Sequence, residues 1–77
     1  MGSHEYKDYK PIIGRNIKKL RTEQGLSLRK LGLMIGMSYV HLFGIEHAEA
    51  SASIDALSKI ASGLGVDVAA LLDDADC

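Results

Sequence analysis

Three groups of side chains in this sequence could do chemistry. Lys18, Lys19, Arg29 and Lys30 are clustered cations that suit a polyanion. His4, His41, His47 and Cys77 are potential metal ligands, with Asp73, Asp74 and Asp76 the densest run of carboxylates. Tyr39, Val40, Phe43 and Gly44 sit in a stretch, Ser38 to Ile45, that carries no Lys, Arg, Asp or Glu. The histidines and the cysteine match no metal-ligand spacing, and the aspartates read as an acidic tail. No Ser/His/Asp or Cys/His arrangement is visible, and no glycine-rich phosphate loop follows a strand. The pattern points to a binding protein, not an enzyme, with no cofactor and no metal.

The elements that hold these groups must be few. Seventy-seven residues make one domain, which buries about 60% of its unfolded surface around one small core. No apolar run approaches the roughly 20 residues of a membrane span. Residues 1–11 lack the apolar segment of a secretory signal, and Met1-Gly-Ser-His reads partly as an expression-tag remnant. The lone Cys77 fits a reducing, cytoplasmic compartment. Charge is divided between the halves. Residues 1–30 hold eight Lys/Arg against three Asp/Glu (+5), and residues 31–77 hold one Lys against seven Asp/Glu (−6), for a net of −1. Such a split predicts one positive and one negative face.

The whole chain reads as helical. Residues 1–10 form a polar arm, residues 11–73 the domain and residues 74–77 an acidic tail. Pro11 opens a first helix with Ile13, Ile17 and Leu20 at helical spacing, closed by Gly25. Ser27 caps a second, with Leu28, Leu31 and Ile35 inward, ended by Gly36. Ser38 caps a third that runs to Glu46 or His47. Ser53 caps a fourth with the stripe Ile54, Leu57, Ile60, Ala61 and Leu64, stopped by Gly63 or Gly65. Asp67 caps a short fifth with Val68, Leu71 and Leu72.

The third helix is the odd one. At about 100° per residue, Leu42 and Ile45 share its inward edge, and Tyr39, Val40, Phe43, Gly44 and His47 fall on the opposite side. His41 falls between the two, half-buried. The helix is apolar all round, and so small a domain cannot cover it. The outward side is a contact surface, or an unforeseen packing hides it. Gly44 either admits a partner's close approach or relieves crowding within the chain; a mid-helix glycine costs about 1 kcal/mol.

Helix, short glycine-containing turn, helix is the helix-turn-helix unit. The string "IGRNIKKLRTEQGLSLRKLGLMIGMSYVHLFGIEHAEASASIDALSKIASGLGVDVAALL", residues 13–72, resembles the lambda-repressor/Cro-like, or XRE, helix-turn-helix family. "IGRNIKKLR", "GLSLRKL", "GMS", "IE" and "IDALSKIASGLGVDVAALL" carry the likeness together and in order. The resemblance implies an all-α, compact five-helix domain whose third helix enters the DNA major groove. It implies base contacts from Tyr39, Val40 and Gly44, with Phe43 beside them. It puts Ser27 and Leu28 at the phosphate-contacting start of the second helix, and makes Arg21 and Glu46 an internal salt bridge. Arg29, Lys30, Lys18, Lys19 and His47 are further phosphate candidates, and the arm residues Lys7 and Lys10 could wrap the duplex.

The sequence departs from the family pattern at four places. Leu28 replaces a glutamine, Tyr39 and Val40 replace polar base readers, Ala48 stands at a usual glycine, and Ala48-Glu49-Ala50-Ser51 replaces a basic loop. Val40 and Phe43 can touch thymine methyls but make no bidentate base contact. The resemblance further implies a homodimer on a palindromic site, joined through Val68, Leu71 and Leu72. The expected function is a bacterial or phage-encoded transcriptional regulator of repressor type, with any effector domain absent or outside these residues. The alternative is a protein-interaction module on the same fold, antitoxin- or anti-repressor-like, whose apolar face binds a protein partner.

Overall fold

The computed structural model describes residues 7–74. Its elements are α1 (Lys10–Glu23), α2 (Leu28–Ile35), α3 (Tyr39–Glu46), α4 (Ile54–Leu64) and α5 (Val68–Leu72). No strand occurs among the described residues. The outer arm with His4, and the tail residues Asp76 and Cys77, lie outside them.

Local chemistry sets the boundaries. Ser27, Ser38 and Ser53 have extended backbones, and their hydroxyl oxygens accept from the N–H groups of Lys30 (3.0 Å), Val40 (3.2 Å) and Ala56 (3.0 Å). Each bond satisfies a donor with no partner inside its helix. Asp67 has the same backbone geometry but makes no side-chain cap bond, contrary to expectation. Gly36 and Gly65 end α2 and α4 in the left-handed conformation, at φ of 71° and 73°. Gly63 lies inside α4, so Gly65 is the stop.

The core gathers Ile13 and Ile17 of α1, Leu31 of α2, Leu42 and Ile45 of α3, Leu57, Ile60, Ala61 and Leu64 of α4, and Leu71 of α5. Two expectations need correction. Ile54 is 71% exposed, because it opens α4 before the helix crosses the bundle. Leu71 is 0% exposed and belongs to this core, so it cannot line a dimer face; Val68 and Leu72 are half-buried against it.

Three devices fix α3 and the helices around it. A Cβ on Gly14 would collide with the carbonyl oxygen of Glu46, so only glycine lets α1 press on the end of α3. Beside it, Arg21 Nε and Nη2 donate to Glu46 Oε2 (2.6 Å) and Oε1 (3.0 Å), while Nη1 donates to the Leu26 carbonyl at 2.8 Å. This two-bond fork is the strong form of a carboxylate pair, and the Glu46 side chain is only 2% exposed. At the far side, the buried Asn16 donates from Nδ2 to the carbonyls of Leu71 (2.9 Å) and Asp73 (2.7 Å). It supplies partners to the end of α5, a five-residue helix too short to persist alone.

Candidate nucleic-acid interface

Leu42 and Ile45, at 0% and 2% exposure, seat α3 on the core. Rotation about that seat turns Tyr39, Val40 and Phe43 outward, at 39%, 65% and 44% exposure. The outward face is therefore apolar and aromatic, on a helix with no charged residue before Glu46. The His47 ring stacks on Phe43, with centroids 4.0 Å apart and planes 22° from parallel. Its Nδ1 lies 2.9 Å from the Phe43 carbonyl oxygen, which pins the ring and leaves Nε2 as its second polar atom. Gly44 behaves differently from its neighbours. A Cβ there would meet the Ala50 Cβ at 3.3 Å, and its carbonyl accepts from Glu49 and Ala50 at 2.8 and 3.2 Å. Of the two reasons the sequence allowed for this glycine, the geometry supports crowding within the chain. His41 is exposed, not half-buried.

The start of α2 flanks this face. Arg29 and Lys30 are exposed in its first turn, and the guanidinium carbon of Arg29 lies 4.3 Å from the centre of the Tyr39 ring. The N–H groups of a first helical turn precede the first intrahelical bond, and with the helix dipole they favour an anion. The Ser27 oxygen is held by the Lys30 N–H, but its own hydroxyl proton can still be donated. Cationic turn, aromatic ring and apolar helix face thus form one continuous surface.

A helix-turn-helix family model, HTH_3, matches residues 17–71. The chain belongs to this helix-turn-helix family. It is 38% identical over 64 residues to the HTH-type transcriptional regulator SinR of Bacillus subtilis, covering 82% of this chain and 58% of SinR. SinR of Bacillus licheniformis is 36% identical over 66 residues, covering 84% of this chain and 60% of that protein. The chain therefore spans about three-fifths of these relatives' length. Among solved structures, an HTH_3 family transcriptional regulator from Vibrio cholerae matches with a TM-score of 0.78 at 40% identity, over 82% of this chain and 35% of that one. A crystal structure of SinR, a master regulator for biofilm formation, in complex with DNA matches with a TM-score of 0.74 at 39% identity, over 79% of this chain and 98% of that one.

Within this helix-turn-helix domain, the candidate phosphate contacts do not all gather. Lys18 follows Gly14 by one turn and so shares the α3 side of α1. Lys19 does not: it lines a notch with Glu23, Ala70 and Asp73 on the α5 side, away from the α2–α3 surface. Leu28 is half-buried and packed on the core, so only its backbone N–H remains for a phosphate. Lys7 pairs with Asp74, which draws this end of the arm to the end of the fold instead of outward. Sequence reasoning missed Gly14, Gly32 and Asn16. The glycines carried a usable signal, since each weakens a helix interior without an evident reason. Asn16 carried none, because its partners are backbone carbonyls far along the chain.

Proposed function

We propose that the chain is a DNA-binding transcriptional regulator of repressor type. In this reading α3 lies in the major groove, with Val40 and Phe43 toward the bases and Tyr39 beside them at the start of the helix. Ser27, the Leu28 N–H, Arg29, Lys30, Lys18 and His47 face the flanking phosphates. The observation that carries it is the exposed, uncharged outward face of α3 set directly beside the cationic first turn of α2. The SinR–DNA structure supports the same reading, as a statement about that relative. Thymine methyls are the natural partners of Val40 and Phe43, so the preferred sites contain A·T pairs. Affinity rests on phosphates, and neutralising about four to six of them gives a log–log salt slope near −4 to −5. The working unit is a homodimer on a palindromic site, with Val68 and Leu72 on the joining surface; sedimentation that finds only monomer at high micromolar concentration removes that part.

Selection of bound duplexes from a random pool tests the DNA reading and reads the site. Enriched, A·T-containing half-sites about one helical turn apart are expected. No enrichment, with no retardation of random duplex at low salt, overturns the reading in favour of a protein-binding module on the same apolar face.

A further inference from the structure

We infer that Tyr39 acts as a positioning residue whose ring holds the Arg29 guanidinium in place for a phosphate, and does not itself read a base edge. This rests on the DNA-binding reading above. The guanidinium carbon of Arg29 lies 4.3 Å from the ring centre, well inside the range of a cation–π contact. Stacking uses the flat face of a guanidinium and leaves its five N–H donors free around the edge. The platform therefore costs Arg29 none of the hydrogen bonds a phosphate would take. It also orders a long side chain before binding, which reduces what is lost when the complex forms. For Tyr39 the consequence is the reverse: one face of its ring is already covered.

The backbone builds this contact on purpose-shaped ground. Arg29, Gly32, Leu33, Gly36, Met37 and Tyr39 line one open notch between α2 and the start of α3. Arg29, Gly32 and Gly36 follow one another at intervals of three and four, so they share the side of α2 that looks at α3. A Cβ on Gly32 would lie 2.5 Å from the Met37 carbonyl oxygen and 3.6 Å from the Tyr39 nitrogen. With no side chain there, the first turn of α3 tucks against α2 and brings the Tyr39 ring under Arg29. The sequence hides this pairing, because the two residues belong to different helices with a turn between them.

The test compares the full chain with Arg29→Ala, Tyr39→Leu, Tyr39→Phe and the Arg29→Ala/Tyr39→Leu double variant. Affinity is measured across a salt series on a selected duplex and on a shuffled one. Proton NMR of the free proteins follows the Arg29 side chain. Tyr39→Leu and Arg29→Ala are expected to weaken both duplexes alike, by about threefold to tenfold. Each should lower the salt slope by about one phosphate's worth. The double variant should lose little more than either single one, and Tyr39→Leu should lose more than Tyr39→Phe, which keeps the ring. The Arg29 methylene protons should be shifted upfield by the ring in the parent and in Tyr39→Phe, and return to ordinary positions in Tyr39→Leu. Additive losses, or a Tyr39→Phe loss as large as that of Tyr39→Leu and confined to the selected duplex, overturn the inference and make Tyr39 a base reader. Unshifted Arg29 protons in the parent overturn it without any DNA present. A parent chain that retards no duplex overturns the DNA reading itself, and the phosphate role of Arg29 with it.

Discussion

Helices α3 and α4 are both predominantly apolar, yet they solve opposite problems. In α4 the buried residues Ala56, Leu57, Ile60, Ala61 and Leu64 form one stripe, and Asp55, Ser58, Lys59 and Ser62 face water. In α3 only Leu42 and Ile45 are buried, and the side chains that could have balanced them with charge are Tyr39, Val40 and Phe43. A helix that follows the core pattern explains itself by packing. A helix that exceeds it keeps apolar surface in water, which is unfavourable unless something covers that surface. On the proposed reading, the difference separates residues that hold the fold from residues that meet a partner.

Substitutions break this contrast in order of size. Glu46→Ala leaves Arg21 with no carboxylate in a nearly closed site and is expected to cost about 3–5 kcal/mol, read as a shift of the urea midpoint. Ile60→Ala empties the middle of the α4 stripe and should cost about 2–5 kcal/mol by the same measurement. Val40→Asp, on the outward face of α3, should leave stability within about 0.5 kcal/mol while abolishing retardation of duplex DNA. A loss of stability there comparable to that of Ile60→Ala would erase the distinction between the two helices. Ala48→Gly, in the loop between α3 and α4, should raise stability by about 1 kcal/mol, because Ala48 sits at φ of 60°, where a Cβ is unfavourable.

The smallest effect belongs to the rim. The Lys7 ammonium, hydrogen-bonded to Asp74 and attracting its charge, holds that carboxyl below the ordinary carboxylate range. A depressed carboxyl stabilises the folded chain above its unfolded value and loses that effect as pH falls through the folded value. Asp74→Asn should therefore leave the melting temperature at pH 7 almost unchanged, and should flatten any acid-side slope below the usual carboxylate range.

Much of this was legible in the residues. Serine caps, glycine stops and the three-four spacing of Ile13 and Ile17, of Leu28, Leu31 and Ile35, and of Leu57, Ile60, Ala61 and Leu64 set the helices and most of the core. The outward turn of Tyr39, Val40 and Phe43 followed from Leu42 and Ile45 alone. What escaped depends on how helices meet. Leu71 looked like a joining surface because spacing shows which side of a helix is apolar, not what already covers it. Lys19 looked equivalent to Lys18, although their directions around α1 differ by about 100°. Ile54 continued the α4 stripe on paper but stands beyond the reach of the other helices. The contact between Arg29 and Tyr39 needed the closeness that Gly32 permits, and no one-dimensional pattern records a distance between two helices.

The amide of Asn16 has a consequence for handling and for control. It ties the first helix to the last through two neutral hydrogen bonds, out of water, where neither protonation nor dissolved ions have a charge to act on. Any grip on a polyanion through Arg29 and Lys30 responds to dissolved ions. Brine strong enough to strip off a nucleic acid should thus leave the scaffold intact and ready to rebind on dilution.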